Sequence, residues 1–356
     1  MGPGPSNVAE SVRTAMAKPT IGHLDPRFIA IMDEVKEMLR TAFGTENALT
    51  IPISGTGSAG MEASFVNLVE PGDRVLVLVN GVFGKRMADV AGRLGAEVTE
   101  VEFEWGTPVN PDHVRKALAG EPFDIVAVVH AETSTGVCNP VDQVAEILRD
   151  GDSLFIVDAV TSLGGIPVNT DGWNADAVYS GTQKCLSCPP GLAPLTLSDR
   201  ARDRIAKRAR PVPNWYLDLS LLTSYWEGAK RSYHHTAPIN MIYGLHQALA
   251  NLLDEGLQAS HERHRQVHEQ LAAGLETVGL SLFVDPAHRL PMLNAVTVPE
   301  GVDEAAVRKR LLEEFDIEIG AGLGPLAGRI WRVGLMGETA RPKTVERLTE
   351  ALGSIL

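Results

Sequence analysis

From position 74 to position 158 short apolar runs alternate with amphipathic stretches, and few folds satisfy that rhythm. Residues 75–79, 125–130 and 154–157 are rich in valine and other apolar residues, and too short for buried helices, and residues 98–103 read as a further strand. Between them, residues 84–94, 110–119 and 139–148 carry apolar side chains at helical spacing. Short runs of this kind are strands buried on both faces, and strands separated by helices cross over into a mostly parallel sheet covered on both sides. The expected class is therefore α/β. Ligands in such sheets lie beyond the carboxyl ends of the strands. Those ends carry Asn80-Gly81-Val82-Phe83-Gly84, the stretch from His130 to Gly136, Asp158 and, after a second apolar run at 175–179, the loop holding Lys184.

An acid at one strand end and an amine at another suit an aromatic heterocycle bearing an aldehyde: the carboxylate keeps a ring nitrogen protonated and the amine forms an imine. Upstream, Gly55, Gly57 and Gly60 surround Thr56 and Ser58 just before a helix that Pro71-Gly72 stops. Glycines let backbone approach an anion, hydroxyls donate to it, and a helix start adds amides. The stretch is a phosphate cup or a tight turn before a helix. It has neither the GK[ST] ending of a Walker loop nor the GxSxG nucleophile elbow. Phe83 is a core or lid aromatic, or a ring that stacks on a heterocycle. Thr133 caps a turn or bonds a phenolic oxygen. Arg329 and Arg332 flank a strand in GRIWRVGLMG, either as a clamp for a carboxylate or as surface charge.

The balance of 32 basic against 45 acidic residues, a net charge of -13, argues against nucleic acid or an anionic membrane as the main partner. No run approaches 18 apolar residues and MGPGPSN lacks a secretory pattern, so a soluble cytoplasmic protein is expected. Cys138, Cys185 and Cys188 make no disulfide framework. The basic run from Arg200 to Arg210 reads as a solvated helix face, and neither His234-His235 nor His261, His264 and His268 define a metal site. Residues 1–20 form an arm that packs on a neighbour or carries backbone amides, such as that of Gly4, into a substrate pocket. A large domain is expected over 21–255. A small α+β domain follows over 256–356, with strands at 295–298, 317–319 and 330–333 and helices at 257–273, 302–314 and 342–352.

Eight ordered segments, GPGPSN, SGTGSAGMEA, NGVFGKR, HAETSTGV, VDAVTSLGG, SGTQKCL, YHHTAP and WRVGLMG, cover essentially the whole chain. Together they resemble the alanine/serine–glyoxylate aminotransferase family, class-V pyridoxal-phosphate enzymes of the aspartate-aminotransferase type (fold type I). The resemblance implies a seven-stranded sheet and a homodimer with active sites at the subunit interface. Lys184 would bind the cofactor aldehyde and Asp158 pair with the ring nitrogen. Phe83 stands where relatives often have tryptophan, with Thr133 near the ring oxygen. Thr56, Gly57, Ser58 and Gln183 match phosphate contacts, completed by Tyr233 and Thr236 from the neighbouring subunit. Arg332, with Gly4, would hold the substrate, an amino acid or 2-oxo acid. Ser58 replaces a histidine found in some relatives. A related branch that uses ureidoglycine has glutamine where this chain has His23 and asparagine where it has Tyr233, which favours alanine or serine as donor here. Cysteine-desulfurase-like chemistry and a non-catalytic binding protein are the readings from other classes.

Overall fold

A computed structural model describes residues 1–120, 122–228 and 231–356 of the chain. After α1 (Glu10–Met16) and α2 (Pro26–Phe43) come β1 (Leu49–Ser54), α3 (Gly57–Leu68), β2 (Arg74–Val79), α4 (Val82–Arg93), β3 (Glu97–Glu102), α5 (Pro111–Leu118) and β4 (Ile125–Val129). A short ladder, β5 (Ala131–Glu132) and β6 (Val137–Cys138), precedes α6 (Val141–Leu148), β7 (Leu154–Asp158), β8 (Ala177–Tyr179) and β9 (Leu192–Leu197). Helices α7 (Asp199–Ala206), α8 (Leu219–Trp226) and α9 (Ile239–Glu255) close this part.

The large sheet runs β1-β9-β8-β7-β4-β2-β3. Only β9 is reversed, being antiparallel to both β1 and β8, so the other six strands point one way. Strands β4 and β7 are fully buried, as their unbroken apolar runs require. Each wholly buried valine, leucine or isoleucine there contributes about 1.5–3 kcal/mol of transfer energy. Helix α2 starts on a Pro after the Asp25 cap and ends at Gly44, which is left-handed at φ 61°.

The remainder comprises α10 (Leu257–Thr277), β10 (Leu293–Thr297), α11 (Glu304–Phe315), β11 (Gly320–Ala321), β12 (Ile330–Gly334) and α12 (Pro342–Ile355), with the sheet order β10-β12-β11. Its own apolar core contains Leu271, Leu311, Trp331, Leu335 and Leu348. The strand expected at 317–319 is displaced. Asp316 ends α11 in a left-handed conformation, the Ile317 amide turns back to the Leu311 carbonyl, and the ladder begins only at Gly320. Ile317 and Ile319 are buried in the core without pairing.

Within the arm lies a helix, α1, whose Val12 joins the large core. One further expectation changes. The basic run is not merely a solvated face, because three arginines reach back to the body. Arg200 bonds Asp176, Arg204 bonds Asp73 and the Leu68 carbonyl, and Arg208 bonds the carbonyls of Asn67 and Val69. Among the described residues no helix is long and apolar enough to cross a membrane.

Candidate active site

The six like-directed strands deliver their carboxyl ends to one edge. A cleft opens there, lined by Thr56, Gly57, Ser58, Phe83, Thr133, Asp158, Gln183 and Lys184. Residues that are up to 128 positions apart in the chain thus share one wall because parallel strands stack their ends in register.

Asp158 closes β7 beside Tyr179, its register partner at the end of β8. Its Oδ1 accepts from the Val160 amide at 2.8 Å and its Oδ2 from the Tyr179 hydroxyl at 2.9 Å. Burial raises its pKa to about 6, against the pull of those two donors and of Lys184. Both donors favour the ionised form.

Lys184 ends the turn after β8. Burial lowers its pKa to about 8, and the Arg332 guanidinium pushes the same way. The start of the chain is threaded over it. Nζ donates to the Pro3 carbonyl, the Ser6 amide bonds the Gln183 carbonyl at 2.8 Å and the Ser6 hydroxyl bonds the Lys184 carbonyl at 2.7 Å. Gly4, at φ 105°, passes so close that a Cβ there would lie 2.5 Å from Nζ, which explains glycine at this position.

At the cup, Thr56 holds the N-cap position of α3 without a side-chain cap bond; its carbonyl accepts from the Ala59 amide, and the Gly57 and Ser58 amides at the very start of the helix are left open. A Cβ on Gly57 would stand 3.2 Å from Val160. The hydroxyls of Thr56, Ser58 and Thr133 have no bonded partner among the described residues. Gln183 buries Oε1 without one, and turning its amide over would offer the NH₂ instead. Open amides, free hydroxyls and a side-chain amide at one end, with an acid and a low-pKa amine at the other, fit a phosphorylated aromatic aldehyde.

Arg332, 8% exposed, does not line the cleft but backs it, bonding the Ala321 carbonyl at 2.7 Å and the Thr133 carbonyl at 3.2 Å. Arg329 is exposed, so only one of the two arginines points inward. Tyr233 is 59% exposed, with its hydroxyl 3.3 Å from that of Thr236, and neither lines this chain's cleft. His23 and Tyr233 pack ring to ring at 4.9 Å. His235 bonds Ser54 and His234 bonds His235, anchoring that segment to the end of β1. Among the described residues no cluster could hold a metal ion.

Three participants escaped sequence reasoning. Arg86 lines the cleft with its Cζ 4.9 Å from the Phe83 ring, and the cation three residues after an aromatic was a signal available in NGVFGKR. Tyr179, the last residue of a buried strand, was readable only through its register with Asp158. The Pro3 carbonyl, a backbone group, leaves no trace in side-chain pattern.

The family model for class-V aminotransferases matches residues 8–330. A solved alanine–glyoxylate aminotransferase from Nostoc sp. superposes with a TM-score of 0.98 at 50% identity, over 100% of this chain and 94% of that one. The (S)-ureidoglycine–glyoxylate transaminase of Bacillus subtilis is 41% identical over 100% of this chain and 90% of its own length. The alanine–glyoxylate aminotransferase of Callithrix jacchus is also 41% identical, over 100% and 87%. With a fold that agrees with the solved relative over the chain's whole length and a family-model match over most of the sequence, the chain belongs to the class-V aminotransferases, pyridoxal-phosphate-dependent enzymes of fold type I.

Proposed function

We propose that the enzyme moves the amino group of alanine or serine to glyoxylate, giving pyruvate or hydroxypyruvate and glycine in a ping-pong cycle. The observation that carries the donor assignment is the His23–Tyr233 pair. Where the ureidoglycine-using branch has two amides suited to a ureido group, this chain has two rings in mutual contact at 4.9 Å. Both lie away from the chain's own cleft, so the reading includes a homodimer in which Tyr233 and Thr236 of one subunit complete the phosphate site of the other.

Pyridoxal phosphate, when bound, supplies an aldehyde that captures amino groups and a ring that takes up the electron pair left when a Cα proton departs. The chain supplies the rest. Lys184 Nζ takes the donor's Cα proton and returns it, a task suited to an amine whose pKa of about 8 leaves it partly uncharged near neutrality. Asp158, ionised by its two donors, would hold the ring nitrogen's proton. Thr56, Gly57, Ser58 and Gln183 would hold the phosphate, Phe83 the ring face and Thr133 the ring oxygen. Arg332, behind the cleft, would supply the charge for a substrate carboxylate, with the Gly4 backbone that passes Lys184 as its assigned companion.

The ureidoglycine reading retains support, since the Bacillus subtilis relative is as similar as the Callithrix jacchus one. The desulfurase reading loses it. Cys185 and Cys188 are buried with their thiols pushed up to about 12, and neither can serve as an exposed nucleophile. Initial rates with alanine, serine and ureidoglycine against glyoxylate decide the donor. Dominant turnover of ureidoglycine overturns the assignment.

A further inference from the structure

We propose that Glu132 is a positioning residue of the active site: its buried carboxylate ties the helix start carrying Phe83 to the turn carrying Thr133, and so fixes two walls of the cleft relative to each other. This rests on the reading that Phe83 and Thr133 face the cofactor ring.

Helix α4 begins at Gly81, which has no side chain to cap it. Its first amides would be orphaned, yet each finds an acceptor about fifty residues away. The Val82 amide donates to Ser134 Oγ at 2.9 Å, and the Phe83 and Gly84 amides donate to Glu132 Oε2 at 3.1 and 3.4 Å. The other oxygen, Oε1, accepts from the Ser134 amide at 3.1 Å and from its hydroxyl at 2.5 Å. Four donors converge on one carboxyl, so a neutral acid would have to set its own proton against one of them. Burial pushes Glu132 up to about 7 against the pull of the Ser134 and Gly84 donors, which, with the helix start, favour its ionised form.

The neighbouring backbone is shaped to admit this carboxylate. A Cβ on Gly81 would lie 2.3 Å from Glu132 Cδ and 2.4 Å from Ser134 Oγ, so only glycine fits. Glu132 itself is held by the β5–β6 ladder, and its carbonyl accepts from the Thr135 and Gly136 amides in the turn that follows. One residue on, the Thr133 carbonyl receives the Arg332 guanidinium. A single buried carboxyl group therefore joins the backbone behind Phe83 to the backbone that presents Thr133 and anchors Arg332. Glu132 itself does not line the cleft, so it acts through its neighbours Phe83 and Thr133, which do.

The test is reconstitution of cofactor-free enzyme with pyridoxal phosphate. Glu132→Gln keeps size but turns an NH₂ toward two N–H groups or toward Ser134. Ser134→Ala removes one acceptor and one donor of the same knot and spares the fold if the first variant does not. We expect Glu132→Gln to bind the cofactor about tenfold more weakly. Ser134→Ala should shift in the same direction by less. In both, the visible circular dichroism of the bound cofactor should fall while the far-ultraviolet signal is kept, because a loosened pocket no longer fixes the ring. Variants that bind within about twofold of wild type and keep the visible dichroism would overturn the proposal, even if their melting temperature drops. Wild-type protein that takes up no pyridoxal phosphate would overturn the reading of the cleft itself, which is a different result from variants that match a binding wild type.

Discussion

At the carboxyl edge of the seven-stranded sheet the polar groups face inward, and each is backed by bonded backbone; around Tyr233 they face out. Asp158, Thr133 and Lys184 are set by strand register and by the threaded first residues, all within one chain. Tyr233 and Thr236 meet mostly solvent, while His234 and His235 behind them secure the segment to β1. The contrast separates two tasks. Activation of the cofactor is assigned to the sheet edge, whereas the pair proposed to choose the donor, His23 and Tyr233, lies outside the chain's own cleft. Substitutions at the edge should therefore damage every reaction alike, and substitutions in the outer segment should change which reaction is favoured.

Lys184→Ala tests the first half most severely. Removing the amine should lower transamination by roughly 10³-fold with every donor, and abolish the absorbance of the lysine-bound cofactor. Unchanged absorbance and rate in purified protein would remove Lys184 from its assigned role. Asp158→Asn is the milder counterpart. It keeps shape and the acceptor for Val160 but removes the charge, so kcat should drop by roughly 10²-fold for alanine and serine equally. A change confined to one donor would mean that the edge also selects substrate, which would erase the contrast.

How much of this was readable depended on what each element needs from its side chains. Strands β2, β4 and β7 announce themselves because burial on both faces demands uninterrupted apolar runs. Strands β1 and β9 do not, since each contains a proline, a residue that breaks the ladder of an inner strand. Here Pro52 and Pro194 lie opposite each other, so both defects fall on one rung. Helix α1 has only seven residues and two buried side chains, too little periodicity to register. The cup, the acid and the lysine were legible because their chemistry demands particular residue types. The Pro3 carbonyl over Lys184, the Arg86 stack and the Glu132 knot were not, since they arise from tertiary neighbours rather than from local pattern.

The pH dependence of cofactor capture probes the edge without mutation. An amine attacks an aldehyde only when uncharged. Burial depresses Lys184 to about 8 from the usual value near 10.5, so the uncharged fraction grows as pH rises toward 8 and saturates above it. The rate at which cofactor-free enzyme takes up pyridoxal phosphate should therefore climb about tenfold per pH unit below 8 and level off beyond. A climb that continues to pH 10 would show an amine in contact with solvent and not enclosed by the arm and the Arg332 charge.

The smallest expected effect is the one that bears most directly on the outer segment. His23→Gln introduces one of the two amides found in the ureidoglycine-using branch and leaves Tyr233, with its assigned phosphate contact, in place. One added hydrogen bond to a ureido group should raise the ureidoglycine-to-alanine rate ratio roughly threefold to tenfold. Cofactor affinity should stay as it was, because the ring and hydrogen-bond contacts of His23 are with Tyr225 and Tyr233, and His23 does not line the cleft. If affinity falls and the ratio does not move, the segment serves the cofactor alone, and donor choice must reside at the sheet edge. If the ratio moves at constant affinity, then a ring pair that lies outside its own chain's cleft governs the chemistry inside one, and that requires a second subunit.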